Sequence, residues 1–84
     1  MAATKQEIRR WLHEAPQGNT HMAVVCDTYD WDDYPVYFEA ATPEAAKEKV
    51  AGYAKGDNMT KLMEVYKLSM DHESQMNEVR AFHY

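Results

Sequence analysis

The residues best suited to chemistry lie between two apolar runs, where carboxylates alternate with aromatic rings. Carboxylate oxygens are ligands for Ca²⁺ or Mg²⁺, and exposed rings stack on a base or on an arginine. The spacing D-x-x-D-x-D-D lacks the central glycine and the distal glutamate of an EF-hand loop. The candidate function of these residues is a surface that binds a partner, with divalent-metal binding as an alternative. The structural alternative is a solvated acidic turn whose Asp side chains accept hydrogen bonds from nearby backbone N–H groups. The predicted partner-binding residues are Asp27, Tyr29, Asp30, Trp31, Asp32, Asp33 and Tyr34.

Two of these rings have a structural alternative. Trp31 either contacts a partner or folds over a helix and completes the core, and both readings stay open at this point. Tyr29, with acidic neighbours on both sides, favours a contact role. Tyr and Trp are common at contact surfaces because the ring packs while the polar tip stays hydrated.

Basic groups form a second set of candidates. Arg9 and Arg10 lie in the first predicted helix, and Arg80 and His83 lie near the end of the chain. Either pair could hold a phosphate by charge-assisted hydrogen bonds. A small nucleotide bound by an oligomer is therefore an alternative ligand. Four aspartates beside a phosphate would repel it, so the acidic-aromatic loop favours a basic protein surface.

No pattern in the sequence indicates catalysis. The four histidines include no i, i+4 pair, and Cys26 is the only cysteine. Odd spacing along a strand would place His21 and Cys26 on opposite faces. The three glycines are not grouped, so a phosphate-binding loop is not expected. We predict no catalytic residue, no resident metal and no cofactor.

The length and the net charge of the chain further restrict the possible classes of protein. Eighty-four residues correspond to one domain, 1–84, and so small a core is often supported by a homodimer or a higher homo-oligomer. A net charge of −5 argues against general binding to nucleic-acid backbones. No apolar stretch reaches the length of a membrane span, and the N-terminus lacks the apolar core of a signal peptide. A reducing cytoplasm is the expected location.

Local signals predict six elements in the order α-β-β-α-β-α. Thr4 and Glu7 form a capping box for a helix over 4–15, and Thr42, Pro43 and Gly56 bound a helix over 43–55. β-rich runs predict strands over 21–27 and 35–40. Residues 61–69 fit a strand better than a helix, and Asp71 caps a last helix over 72–80. The predicted fold is a single α+β domain with a mainly antiparallel three-stranded sheet and helices on one face. The other face would be available for a dimer.

Four segments carry a family resemblance: 21–30 (HMAVVCDTYD), 33–37 (DYPVY), 63–66 (MEVY) and 77–83 (NEVRAFH). They resemble a family of short proteins encoded by tailed phages and prophages. The resemblance covers the chain from His21 onward and brings no catalytic motif with it. It implies an accessory protein that acts in the cytoplasm of an infected bacterium. Such proteins resemble counter-defence factors, which bind a host protein or sequester a nucleotide defence signal.

Overall fold

The structure is a computed structural model that describes residues 3–84, and it confirms the α+β class and the order of the elements. Residues 1 and 2 of the predicted domain lie outside this range. The sheet order is β2-β1-β3, and both strand pairs are antiparallel. The elements are α1 (Lys5–His13), β1 (His21–Asp27), β2 (Asp32–Phe38), α2 (Pro43–Lys55), a 3-10 turn (Asp57–Met59), β3 (Thr60–Lys67) and α3 (His72–Met76).

The helices begin where their caps predict. The Thr4 hydroxyl accepts a hydrogen bond from the Glu7 N–H, and the Glu7 carboxylate accepts one from the Thr4 N–H. The Thr42 hydroxyl accepts from Ala45, and α2 ends at Gly56 in the left-handed conformation (φ 82°). Glycine adopts this conformation without steric cost, which explains the sharp end of the helix.

Two of the three strands, β2 and β3, depart from prediction in their bounds. β2 starts at Asp32 rather than at residue 35, because Asp32 pairs with Asp27 and extends the ladder. β3 contains a bulge between its pairings with Val24 and Val25, with Met63 as the extra residue. This bulge interrupts the alternation that would otherwise identify a strand. The last helix also ends early, at Met76 instead of residue 80.

Helices cover both faces of the sheet, so the prediction that they lie on one face is wrong. On one face α1 and α3 pack against Met22, Val24 and Tyr66; on the other, α2 packs against Ala23 and Val25. The physical reason lies in β1, which is buried along His21–Cys26 on both sides of its pleat. A strand that reads as a continuous apolar run is typical of a sheet covered on both faces. The sheet face proposed for a dimer is therefore occupied.

The outer edge of β3 is covered by residues 81–84, which we call the strap. The Val65 N–H donates to the Ala81 carbonyl (2.8 Å), and the His83 N–H donates to the Val65 carbonyl (2.9 Å). Phe82 forms an isolated parallel bridge to Val65. Tyr84 packs against the α2-side core, so this end of the chain docks on its own domain.

The opposite edge, β2, pairs with no further strand among residues 3–84. The direction of its backbone N–H and carbonyl groups can be inferred from the bonds between Val65 and the strap. Val65 directs its N–H and carbonyl to the strap, so its register partner Ala23 must direct its own groups toward β2. Val24 then faces β3, and Pro35, opposite Val24, faces away from the sheet. The missing N–H of proline is tolerated at such a position.

Candidate interaction site

We call residues Asp27–Tyr34 the hairpin tip, and their backbone is held by local hydrogen bonds. The Asp27 carboxylate accepts the Tyr29 N–H (2.8 Å), and the Asp27 carbonyl accepts the Trp31 N–H (2.6 Å). Trp31 has φ 60°, a left-handed conformation that is uncommon for a residue with a side chain. The turn between β1 and β2 is therefore closed by Asp27 and by a conformation of Trp31 that carries a steric cost.

The aromatic rings of the hairpin tip point into solvent. Tyr29 is 74% exposed and Trp31 is 62% exposed, so Trp31 is not a core residue. Of the two readings that the sequence left open for Trp31, the structure supports a surface position. Tyr34 is more enclosed, and burial, followed by the nearby Tyr53 and Asp27, raises the pKa of its phenol.

A neighbouring segment that sequence reasoning missed extends this surface. The Thr28 N–H donates to the Met59 carbonyl (2.8 Å), which ties the turn to the residue before β3. Met59 is 54% exposed, and both Met59 (φ 58°) and Asn58 (φ 54°) are left-handed. In the sequence, only Gly56, which ends the preceding helix, lies close to this segment.

The four aspartates of the hairpin tip do not converge. Asp27 serves the turn, whereas the Asp33 carboxylate accepts the Ala3 N–H (3.0 Å) and so fastens the start of the chain to β2. Asp30 and Asp32 are exposed. Within residues 3–84 no group of three or more His, Cys, Asp or Glu side chains is placed to hold a metal ion.

Cys26 is a buried thiol rather than a reactive one. It is 6% exposed, and its register partner on β2 is Asp33. Burial is the main cause that raises the pKa of the Cys26 thiol, and the hydrogen bond with Asp33 adds to it. Because a thiolate is the nucleophilic form, this environment opposes nucleophilic chemistry.

The basic candidates are dispersed, and three of them lie against carboxylates of the same chain. Arg9 binds Glu73 through two hydrogen bonds (2.7 and 3.0 Å), which joins α1 to α3 and raises the pKa of Arg9. The other two pairs are Arg10–Glu14 (3.7 Å) and His83–Glu78 (2.5 Å), while Arg80 is exposed on the segment before the strap. The structure therefore shows no phosphate site built from these four residues among those it describes.

Two buried polar residues were not singled out as site residues by the sequence. The side-chain amide of Gln75, in α3, accepts a hydrogen bond from the Lys67 N–H (2.8 Å) and donates one to the Lys67 carbonyl (2.9 Å). These are the bonds that a neighbouring strand would make with the end of β3. His21 is 2% exposed and stacks on Phe38. His21 is therefore an interior residue, although it is the first residue of its strand. Gln75 and His21 each lie on the buried side of their element, and only the fold determines which side is buried.

Comparisons with protein-family models, curated proteins and solved structures find no match for this chain. Among residues 3–84, no helix combines the length and the apolar character needed to cross a bilayer.

Proposed function

We propose that this protein is a non-enzymatic binding protein that docks on a basic surface of a partner protein through the hairpin tip. The observation that carries this proposal is the exposure of Tyr29 and Trp31, at 74% and 62%, on a turn fixed by hydrogen bonds. A surface already held in one conformation loses less entropy on binding. Large rings with a polar atom are also the side chains that most often dominate interface energies.

The negative charge of the hairpin tip indicates a partner with a basic surface. Asp30 and Asp32 are exposed beside the two rings, and the chain as a whole carries −5. Lysine or arginine side chains on a partner would be attracted to these carboxylates, and arginine would also stack on the rings. Exposed charges at an interface rim act mainly on the association rate, while buried rings determine how long the complex lasts.

The phage resemblance supplies the biological setting of this proposal. The partner would be a bacterial host protein, and binding would inhibit it in the host cytoplasm as a counter-defence measure. A homo-oligomer is compatible with this role, but it would need a surface other than the covered sheet faces. The nucleotide alternative has no specific support here, because Arg9, Arg10 and His83 lie against carboxylates of their own chain.

The test is affinity capture from a bacterial lysate, followed by measured binding to the captured protein. Tyr29→Ala should weaken binding about 30-fold, corresponding to a hot spot of about 2 kcal/mol. Asp30→Asn should slow association and reduce its dependence on salt. Met70→Ala is the matched control, since Met70 is an exposed apolar residue beyond the opposite end of β3.

Binding that survives Tyr29→Ala but is lost with Met70→Ala would refute the assignment of the surface. Analysis of small molecules in the same eluates tests the nucleotide alternative. A nucleotide that copurifies with the wild-type protein but not with Arg80→Ala would favour that alternative over the protein partner.

A further inference from the structure

Strand β2 is the edge of the sheet that pairs with no further strand among residues 3–84. Because Ala23 exchanges its backbone bonds with Val36, every second residue of β2 counted from Val36 directs its N–H and carbonyl groups toward β1. The intervening residues Asp33, Pro35 and Tyr37 direct theirs away from the sheet. An extended segment of another protein can add to such an edge as a further strand.

The two edges of the sheet differ in what covers them. At β3, the strap bonds both backbone groups of Val65, and the side-chain amide of Gln75 bonds both backbone groups of Lys67. At β2, Ala3 bonds the side chain of Asp33 rather than its backbone. The chain therefore completes the β3 edge with its own residues, while β2 keeps backbone groups that can pair with a strand.

The charge along β2 favours a basic segment as the added strand. β2 has the sequence DDYPVYF, without the lysine or arginine that commonly protects a strand edge. Exposed carboxylates lie at both of its ends, with Asp30 and Asp32 on one side and Glu39 on the other. Lysine and arginine side chains of an added strand would be attracted to these carboxylates.

The two faces of β2 define the side-chain pattern of the added strand. Val36 packs beside the α2-side core, and Tyr34, two residues away, shares its face; neither is fully buried. Tyr37 packs on the α1 side, and Asp33 shares that face. Side chains directly opposite one another on neighbouring strands lie on the same face. β-branched side chains would therefore pack on Tyr34 and Val36, and the basic side chains that alternate with them would lie on the side of Asp33.

A second copy of this chain is the poorer occupant of the edge. Pro35 lies at the centre of the outward-facing residues and has no N–H. Two copies of β2 paired around Pro35 would place two positions that lack a donor opposite each other. They would also bring together two acidic edges, which repel. A basic segment from another protein meets one Pro35 and opposite charge.

We propose that the β2 edge binds an extended basic segment of the partner protein as a fourth strand, in which basic and β-branched side chains alternate. Asp33 and Tyr37 each offer an N–H and a carbonyl, and Pro35 offers its carbonyl alone. The proposal rests on the proposed function in taking the partner to be a basic protein. It assigns main-chain pairing to β2 and leaves the side-chain contacts of Tyr29 and Trp31 to the hairpin tip.

The probe is an acetylated and amidated hexapeptide that alternates arginine with valine, titrated into the full chain by NMR. Saturation should increase the hydrogen-exchange protection of the Tyr37 N–H, whereas that of Val36, which already bonds Ala23, should stay unchanged. A peptide with glutamate in place of arginine should not bind. Methylating the backbone nitrogens of either the arginines or the valines should abolish binding in one peptide and preserve it in the other, because only one side of an added strand faces β2.

Variants of the protein assign the binding to the β2 edge. Pro35→Val supplies one backbone donor and should tighten peptide binding about two- to tenfold. Glu39→Gln should weaken it about two- to fivefold, while Glu48→Gln, an equal change of charge on an exposed position of α2, should leave it unchanged. Tyr29→Ala should also leave it unchanged, because the Tyr29 side chain lies on the hairpin tip and not along the edge.

The same variants distinguish failure of this proposal from failure of the proposed function. Equal binding of the two methylated peptides, binding of the glutamate peptide, or loss of binding in Tyr29→Ala would overturn the edge proposal alone. Peptide binding as expected, with partner binding that does not depend on Tyr29, would refute the hairpin tip and leave the edge proposal standing. A homodimer in light scattering whose Tyr37 N–H is protected without peptide would show that a second copy occupies the edge, and would also overturn it.

Discussion

Replacing Trp31 by glycine should destabilise the protein less than replacing it by alanine. At most positions glycine is the more destabilising of the two. Trp31 has φ 60°, where an L-residue incurs about 1–2 kcal/mol and glycine does not. Glycine also gains freedom in the unfolded chain, which costs about 0.4–1 kcal/mol of stability. The balance favours Trp31→Gly over Trp31→Ala by about 0.5–1 kcal/mol.

Loss of the ring itself is common to both variants and is bounded by its exposure. Since Trp31 is 62% exposed, about two-fifths of a ring of roughly 250 Å² is buried, which corresponds to at most about 2.5 kcal/mol of apolar burial and to less when the unfolded chain is compact. Trp31→Ala should therefore lower the free energy of unfolding by about 2 kcal/mol or less, and Trp31→Gly by about 1 kcal/mol. A core tryptophan would instead lose about 3–5 kcal/mol.

Urea denaturation of both variants measures these differences, with Gln6 as the matched control. Gln6 is exposed within α1, where Gln6→Gly should be about 1 kcal/mol less stable than Gln6→Ala. The sign of the glycine–alanine difference should thus be opposite at the two positions. The same sign at both, or a loss above 3 kcal/mol at Trp31, would show that the turn is not built as described and that the ring supports the core.

Two further predictions concern buried groups. Gln75→Ala should lower the free energy of unfolding by about 2–4 kcal/mol, because it removes three hydrogen bonds to the backbone of Lys67 and Asp71 and leaves a strand edge unpaired. Urea denaturation measures this loss, with Gln6→Ala as the control. A loss close to that of the control would contradict the prediction. Cys26 is buried and burial raises the pKa of its thiol, so it should react with thiol reagents only through opening of the fold, at a rate that increases with urea; immediate stoichiometric labelling in native buffer would disprove this.

Elements that are determined by local chemistry could be predicted from the sequence. The helix over 43–55 was predicted with its observed bounds, because a cap, a first-turn proline and a terminal glycine lie within the segment itself. The same holds for the start of α1 at its capping box and for Asp71, whose carboxylate accepts the Ser74 N–H. Strand β1 was also predicted with its observed bounds.

Features that depend on distant partners could not be predicted in the same way. β2 gains its first residues from pairing with β1, and α3 ends at Met76, well before the buried Ala81 reaches Val65. The local sequence contains no signal for the early start of β2 or for the early end of α3. The placement of helices on both faces was recoverable, however, because the run Met22–Cys26 is apolar without alternation, as expected for a central strand covered on both sides.

The candidate site could be located from residue types, but its geometry required the fold. Acid and aromatic side chains on one connection marked the hairpin tip, while the contribution of Met59 depends on the pairing of β1 with β3. The Asp27 carboxylate accepts the nearby Tyr29 N–H, as expected of an acidic turn, and the Asp33 carboxylate accepts the Ala3 N–H. The predicted binding residues thus divide into those that build the hairpin tip and those that face outward.

The core is covered on both faces of the sheet without the exposed side chains of the hairpin tip. α1 and α3 cover one face of the sheet, α2 covers the other, and Tyr84 closes the α2 side. Single exposed apolar residues such as Val79 are ordinary on protein surfaces. Tyr29, Trp31 and Met59 are instead linked through one turn and the backbone bond from Thr28, and none of them belongs to either core cluster. The described core closes without them, and the exposure of Tyr29 and Met59 is the physical basis for the proposal that the hairpin tip binds a partner.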